Sequence, residues 1–413
     1  MNTFRSLRSR NFRLFFYGQS ISLMGTWMQK TAVCWLVYRV TESAFLLGLV
    51  GFASLIPSLF LSPYTGIVID RYNRFKLMMI TQIAAMVQAG ALALVVFLGY
   101  YNITLIVLLS LLQGVINAFD VNCRQTLMLD MVDEPQDLPN AIALNSTMAN
   151  MARIIGPALA GIVLSAFGED FCFISNFLSF VPVLICLMLM NVKIPEPART
   201  QRKIMDDLKQ GFTYIRSEKE MRTMILLIAV SSVFVIPFNT LMPIYARDIF
   251  NGNAQTFSII ESAIGVGALV SAVYMANLRN TSNLLNIVLI SSILLGGSVL
   301  VMAFSKYFSG LLLFLVVSGL GMMAQTSAIN TYIQTHADPT MRGRAIGYFL
   351  MAYQGMIPVG SLLVGFFAEA MGTREAVALC GSVGLLSAFA FWYYGSKHFG
   401  MGKVLNFFSF QRL

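Results

Sequence analysis

The sequence predicts an all-α polytopic membrane protein: twelve transmembrane helices in two pseudo-symmetric six-helix bundles. Three observations lead there. Of 413 residues, 57% are hydrophobic and only 11% charged, with a mean hydropathy of +0.72, whereas soluble domains run near a quarter charged. The apolar residues gather into twelve runs, each near the roughly 20 residues needed to cross a bilayer. The two halves of the chain also align with each other, as repeat-built transport folds do.

The expected spans are 12–37, 45–69, 77–98, 103–131, 139–167, 171–191, 221–246, 256–278, 283–304, 308–335, 343–370 and 374–396. A polar connection at 192–220 divides them into bundles at 1–191 and 221–396, and a tail follows at 397–413. The basic start enters the first apolar run with no small-residue cleavage site after it, so that run is expected to be a retained helix. Alternating the sides places twenty-one of the 28 basic residues with the termini and the central connection. Four (Arg39, Arg247, Lys306 and Arg374) fall opposite, and three (Lys30, Arg124 and Arg153) lie within spans. The positive-inside rule then puts both termini and the central connection in the cytoplasm. In the connection, Ile204, Leu208, Phe212 and Ile215 recur at helical spacing between charges. The pattern fits an interfacial amphipathic helix or a solvated linker. The tail, with Lys403, Leu405, Phe407 and Phe408, presents the same two choices.

The net charge of +9 follows from these loop clusters beside anionic lipid, so the expected partner is the bilayer and not nucleic acid. Five cysteines without a C-x-x-C pair and two separated histidines, His336 and His398, supply neither a disulfide framework nor a metal site. No nucleotide-binding loop of the G-x-x-x-x-G-K-[ST] type occurs, so neither ATP nor a cofactor is expected. The chain does not read as an enzyme.

The repeat is legible in glycines. NAIALNSTMANMARIIGPALAG (140–161) aligns with RAIGYFLMAYQGMIPVGSLLVG (344–365), pairing Gly156 with Gly360, Gly161 with Gly365 and Gly168 with Gly372. The loop after span two reads GIVIDRYNRFK from Gly66 to Lys76. Gly66 permits close helix approach, Asp70 suits the positive N-terminus of another helix, and Asn73 suits a turn of positive φ. This loop resembles the G-x-x-x-D-R-x-G-R-[RK] motif of the major facilitator superfamily. Gly156, Pro157 and Gly161 resemble the G-P-x-x-x-G antiporter motif of its exporters, although Ala160 stands where many members have a second glycine. The opening LRSRNFRLFFYGQSISLMGTWMQKTAVCWLVYRVTES and the stretch NAFDVNCRQ are similar to the drug:proton antiporter branch. That branch includes enterobactin-type siderophore exporters and macrolide efflux proteins.

The resemblance implies the major facilitator fold, a gating loop and an exporter's coupling helix. Gating is expected from Gly66, Asp70, Arg71 and Arg74, with Arg74 paired to Asp130 and Asp70 capping span eleven near Gly343 and Arg344. Intramembrane charges are the best pointers to a site, since each is costly unless paired or hydrated. Gln113, Asn117, Asp120 and Arg124 form one stripe on span four, and Ser146, Asn150, Arg153 and Pro157 repeat its spacing on span five. Asp120 is the expected proton-coupling carboxylate, balanced by Arg124 or Arg153, or else a static pair locking spans four and five. The second-half equivalents of Asp120, Arg124 and Arg153, namely Gln325, Ile329 and Ile357, carry no charge. Lys30 and Glu261 either pair across the halves or face a hydrated vestibule. Trp27, Trp35, Phe234, Phe238 and Tyr353 are candidate cavity aromatics.

The expected function is secondary active export of a small organic compound, drug-like or siderophore-like, by alternating access and proton antiport, in a monomer. Uptake or lipid movement on the same fold is the alternative, and a non-transporting sensor a more distant one. The topology is testable by accessibility: single cysteines at 102 and 251 should label from outside intact cells, and those at 73 and 210 should not. The opposite sidedness would overturn the assignment.

Overall fold

The computed structural model describes residues 4–192, 204–278 and 283–398, without the side chains of 62, 63, 66, 67, 70 and 204–208. Residues 193–203 of the connection, 279–282, and 399–413 of the tail lie outside the described residues. In the first half the long helices are α1 (Arg10–Thr41), α2 (Ala44–Arg71), α3 (Arg74–Phe97), α4 (Ile103–Met131), α5 (Leu138–Phe167) and α6 (Glu169–Leu189). A short α7 (Ile204–Ser217) follows. Then come α8 (Lys219–Ile249), α9 (Ala254–Ala276), α10 (Leu284–Ala303), α11 (Phe308–His336), α12 (Arg342–Met371) and α13 (Thr373–His398).

Eleven of these helices are long and apolar enough to cross a membrane. The exceptions are the short α7 and α1, which has the length at 32 residues but whose apolar run is broken by Gln19, Gln29 and Lys30. Polar side chains mark the helix starts. The Ser43 hydroxyl accepts the Leu46 N–H at 3.3 Å, and Asn102 Oδ1 accepts that of Leu105 at 3.2 Å. Glycines in the left-handed region close α5 and α12, Gly168 at φ 92° and Gly372 at φ 103°. They are repeat equivalents, and glycine alone takes that conformation without steric cost.

Asn73 differs from the expectation. Its φ is −65° and its backbone extended, and its side-chain oxygen accepts the N–H groups of Phe75 and Lys76 at 3.0 and 3.1 Å. It caps α3, the commonest use of asparagine at a helix start, and needs no positive φ. Irregularity falls in the second half. After Val230, α8 passes through a π-type turn (Ser231–Val235) and a 3-10 stretch (Ile236–Leu241) around Pro237. The helix α12 is interrupted between Tyr353 and Ile357, whereas α5 runs unbroken through Pro157.

The chain forms two compact units, Met1–Arg202 with Met242–Ser262, and Lys203–Leu241 with Ala263–Leu413. In the first, α1 packs on α5 and α6, α3 on α4 and α6, and α2 on α4. In the second, α10 packs on α11 and α13, and α12 on α8 and α13. Glycine sets the equivalent crossings in both, by letting backbones approach closely. A Cβ at Gly156 of α5 would collide with Trp27 and lie 3.1 Å from the Met24 carbonyl of α1. A Cβ at Gly360 of α12 would lie 2.5 Å from Pro237 and 2.8 Å from the Ser232 carbonyl of α8. Gly114 meets the Ser54 carbonyl of α2, as Gly319 meets Ile264 of α9.

The helix α7 belongs to the second unit, and the end of its apolar edge meets protein. Ile215 is buried in a core with Met224, Ile333 and Phe349, and Gly211 lies against Arg344 and Tyr348. The Tyr214 hydroxyl accepts the Asp338 N–H at 2.9 Å. The Asp338 carboxylate in turn accepts the hydroxyl and N–H of Thr340, which hold its pKa below the usual range. The connection is helical from Ile204 to Ser217, with Ile215 docked on neighbouring helices and Phe212 exposed.

Overpacking a tight crossing costs roughly 1–3 kcal/mol. Gly156→Ala should therefore lower the thermal midpoint of the detergent-solubilised protein. Gly347→Ala, where a Cβ meets nothing within 4 Å, should hold it or raise it. Equal midpoints for the two variants would contradict the glycine crossing.

Candidate functional site

The first unit holds its polar side chains in three layers. In the middle of α4, Asp120 is buried and fully engaged. Arg124 Nη2 donates to Oδ2 at 2.9 Å, one helical turn away. From α3, Gln82 Nε2 donates to Oδ1 at 2.6 Å and the Thr81 hydroxyl to the same oxygen at 3.1 Å. Asp120 and Arg124 are only 8% and 9% exposed, so this ion pair sits where charge is costly unless matched. The stripe read from spacing does not hold together as one network: Asn117 is exposed and outside it.

Arg153 is not the partner of Asp120. The glycine crossing brings α5 against α1, and the Arg153 guanidinium lies over the Trp27 ring at 5.4 Å from its centroid. The expected lock between α4 and α5 is instead a lock between α4 and α3. Lys30 also lies over Trp27, 4.7 Å from the centroid. Glu261 falls in the first unit with Lys30. Pro157 is buried inside α5, and Gly161 admits Ser258 of α9, to whose Cβ an added methyl would come within 2.6 Å.

A second buried network escapes a reading of charges alone. Asn176 Nδ2 of α6 donates to Gln29 Oε1 of α1 at 2.8 Å, and Gln29 Nε2 donates to Gln88 Oε1 of α3 at 3.1 Å. Gln88 Nε2 then donates to the Leu109 carbonyl of α4 at 3.1 Å. A signal exists in the sequence, since three amides interrupt apolar runs. In the second unit the repeat equivalent of Asp120, Gln325, is fully buried and donates to Ser292 at 2.7 Å and to Ser231 at 3.2 Å. The same helix position thus serves a polar node in both units, charged in one and neutral in the other.

At one end of the first unit, Arg74 and Asp130 meet, with Nη2 donating to Oδ1 at 2.9 Å and Nε 2.8 Å from Oδ2. Both belong to that unit, so the pair ties the start of α3 to the end of α4. Arg71 is exposed, and Arg344 Nη1 reaches the Met341 sulfur at 3.0 Å in the second unit. The side chain of Asp70, and hence the expected cap on span eleven, lies outside what the structure describes, as does the packing at Gly66. At the other end, the Tyr38 hydroxyl donates to Asp248, and Arg247 Nη2 donates to Glu42 at 2.6 Å. Arg39 grips Glu169 through two bonds at 2.6 and 2.7 Å. Of the proposed cavity aromatics, Trp35 and Phe238 are core residues, Trp35 stacking on Phe257 and Phe238 being 1% exposed. Tyr353 stacks on Phe349.

Apolar helices built as a repeat, with a buried acid–base pair in one half and ion pairs at both ends, define a membrane transporter of the major facilitator type. Residues 1–398 match the family described as transmembrane secretion effector, and the chain belongs to that family. It is 25% identical to the staphyloferrin A transporter of Staphylococcus aureus, over 93% of this chain and 96% of that protein. It is 21% identical to macrolide efflux protein A of Streptococcus pyogenes, over 90% and 94%. A crystal structure of a POT family transporter in complex with 5-aminolevulinic acid superposes with a TM-score of 0.73, covering 94% of this chain and 96% of that one. At 11% identity, that likeness concerns the fold.

An unpaired buried amide costs about 1–3 kcal/mol. Asn176→Leu should therefore destabilise the protein by that amount, and Gln29→Leu in the same background should add much less than it does alone. Additive losses would show that the amide ladder is not one unit.

Proposed function

We propose that this protein exports a small organic compound by alternating access in exchange for protons. It acts as a monomer in the bacterial plasma membrane with both termini in the cytoplasm. The observation that carries the reading is the buried Asp120–Arg124 pair and its uncharged counterpart, Gln325. A static fold has no need of a charge in only one of two equivalent nodes, and a buried pair is a weak source of stability. Protonation of Asp120 removes its charge and releases Arg124, and loss of the proton restores the pair. A change of hydration as the cavity opens to either side supplies the occasion for each step.

The efflux named in relatives supports the outward direction, as does the glycine–proline motif of α5. In this reading Arg74 and Asp130 hold the inner gate's helices, with Asp70 and Arg71 beside them. The Tyr38–Asp248 and Arg247–Glu42 contacts form an outer latch that parts when the site opens outward. Each contact favours the state in which it exists, and the populations shift with the ligand that prefers that state.

Proteoliposomes test the coupling. Asp120→Asn keeps the size and some hydrogen bonding but cannot titrate. It should leave downhill substrate exchange near the wild-type rate and abolish accumulation driven by a pH gradient. Arg124→Ala leaves a buried carboxylate without its cation, a loss of about 3–5 kcal/mol, and the second change Asp120→Asn should recover part of that stability. Full gradient-driven transport by Asp120→Asn would move coupling elsewhere, with Glu261 next in line. Accumulation in the uptake direction alone would reverse the assigned direction.

A further inference from the structure

The crossing of α1 and α5 carries a feature that coupling through Asp120 leaves unused. Arg153 stands midway along a 30-residue helix, the depth at which a charge is most costly. Among the described residues it has no ion pair, and its Nε is buried without a hydrogen-bond partner. Its neighbour is the half-buried indole of Trp27, which Lys30 shares from the next turn of α1. One cation over an indole is a familiar stabilising contact. Two cations over one ring repel each other, and a ligand of opposite charge turns that repulsion into attraction.

The fold does not require this arrangement. The second unit closes the equivalent crossing with Gly360 against Ser232 and Val233, and the residue matching Arg153 is Ile357. Gly156, three residues beyond Arg153, draws α5 onto Trp27 and so positions the guanidinium. The planar fork of arginine suits a carboxylate better than a point charge does.

We propose that Arg153, Trp27 and Lys30 form the substrate's anion subsite, and that the transported compound is an organic carboxylate with an apolar body. This rests on the transporter reading and adds the substrate class. Arg153 binds the carboxylate, Lys30 adds field, and Trp27 packs against the body. The Asp120–Arg124 pair is left for the proton.

The test is equilibrium binding to the purified protein in detergent, with Trp35→Phe and Trp392→Phe leaving Trp27 as the only indole of three. Three probes share a ring system and differ in charge: naphthoate, naphthamide and naphthylmethylammonium. Naphthoate should quench Trp27 at the lowest concentration, and added salt should weaken it. Arg153→Gln should cut naphthoate affinity roughly 10- to 100-fold, the range for a hydrogen bond to a charged group, and leave naphthamide unchanged. Arg153→Lys should restore part of the preference, and Lys30→Gln should lower it less. If Arg153→Gln does not fold, the preference of the protein with Arg153 intact and its salt dependence decide the matter. Equal binding of the three probes, or a naphthoate preference that survives Arg153→Gln, overturns the proposal. Failure of the proton-exchange reading is separable: it appears as no pH-driven accumulation in vesicles while the naphthoate preference persists.

Discussion

The close crossing of α5 over α1 at Gly156 is the contact on which the polar architecture of the first unit depends. A glycine there lets two backbones approach until the Met24 carbonyl and Met28 N–H lie just over 3 Å from where a Cβ would stand. That approach draws Arg153 onto Trp27 and so away from α4. Asp120 is then left to Arg124 and to the Gln82 and Thr81 donors of α3. Moving α5 outward by the width of one methyl group would loosen the Arg153–Trp27 contact and leave the Asp120 node to α3 and α4. In a bilayer, where small residues and packing drive helix association in place of the hydrophobic effect, one glycine therefore has consequences beyond its own contact.

The two units show how a duplicated fold becomes a device. They keep the same glycine crossings and the same helix-closing glycines at 168 and 372. They differ in what fills the equivalent places: Asp120 against Gln325, and Arg153 against Ile357. Gln325 donates to two serines and forms a neutral node. The buried acid–base pair lies in the first unit, and the π-type turn and 3-10 stretch of Ser231–Leu241 in α8 lie in the second. Transport folds are commonly built from such repeats, and here the shared frame is carried by glycine and the difference by charge.

Part of the site is legible in the order of residues alone. The cost of burying a charge singles out Asp120, Arg124 and Arg153, and Arg74 does meet Asp130. The partners are less accessible. Helical spacing places Arg124 within reach of Asp120, but the same spacing on span five suggests Arg153 equally, and nothing local distinguishes them. Asn73 shows the opposite failure. A family position usually held by glycine suggests positive φ, while the side chain of asparagine offers a second solution, capping the next helix with an extended backbone. The amide ladder of Gln29, Gln88 and Asn176 escapes notice because uncharged residues in a span raise no alarm singly, and only adjacency makes them a network.

The sequence by itself determined that the chain spans a membrane, where its helices run, and that its halves are copies. Those properties follow from hydropathy and periodicity, which act along the chain and need no knowledge of neighbours. Tertiary structure decided which helix each polar side chain faces: Asp120 towards α3, Arg153 towards α1, and Ile215 of α7 into the core of the second unit. The physical reason is that every helix in a membrane presents apolar residues on most of its surface. Hydropathy then says little about which face meets which neighbour, and the choice passes to glycine gaps and hydrogen-bond matching between helices distant in sequence.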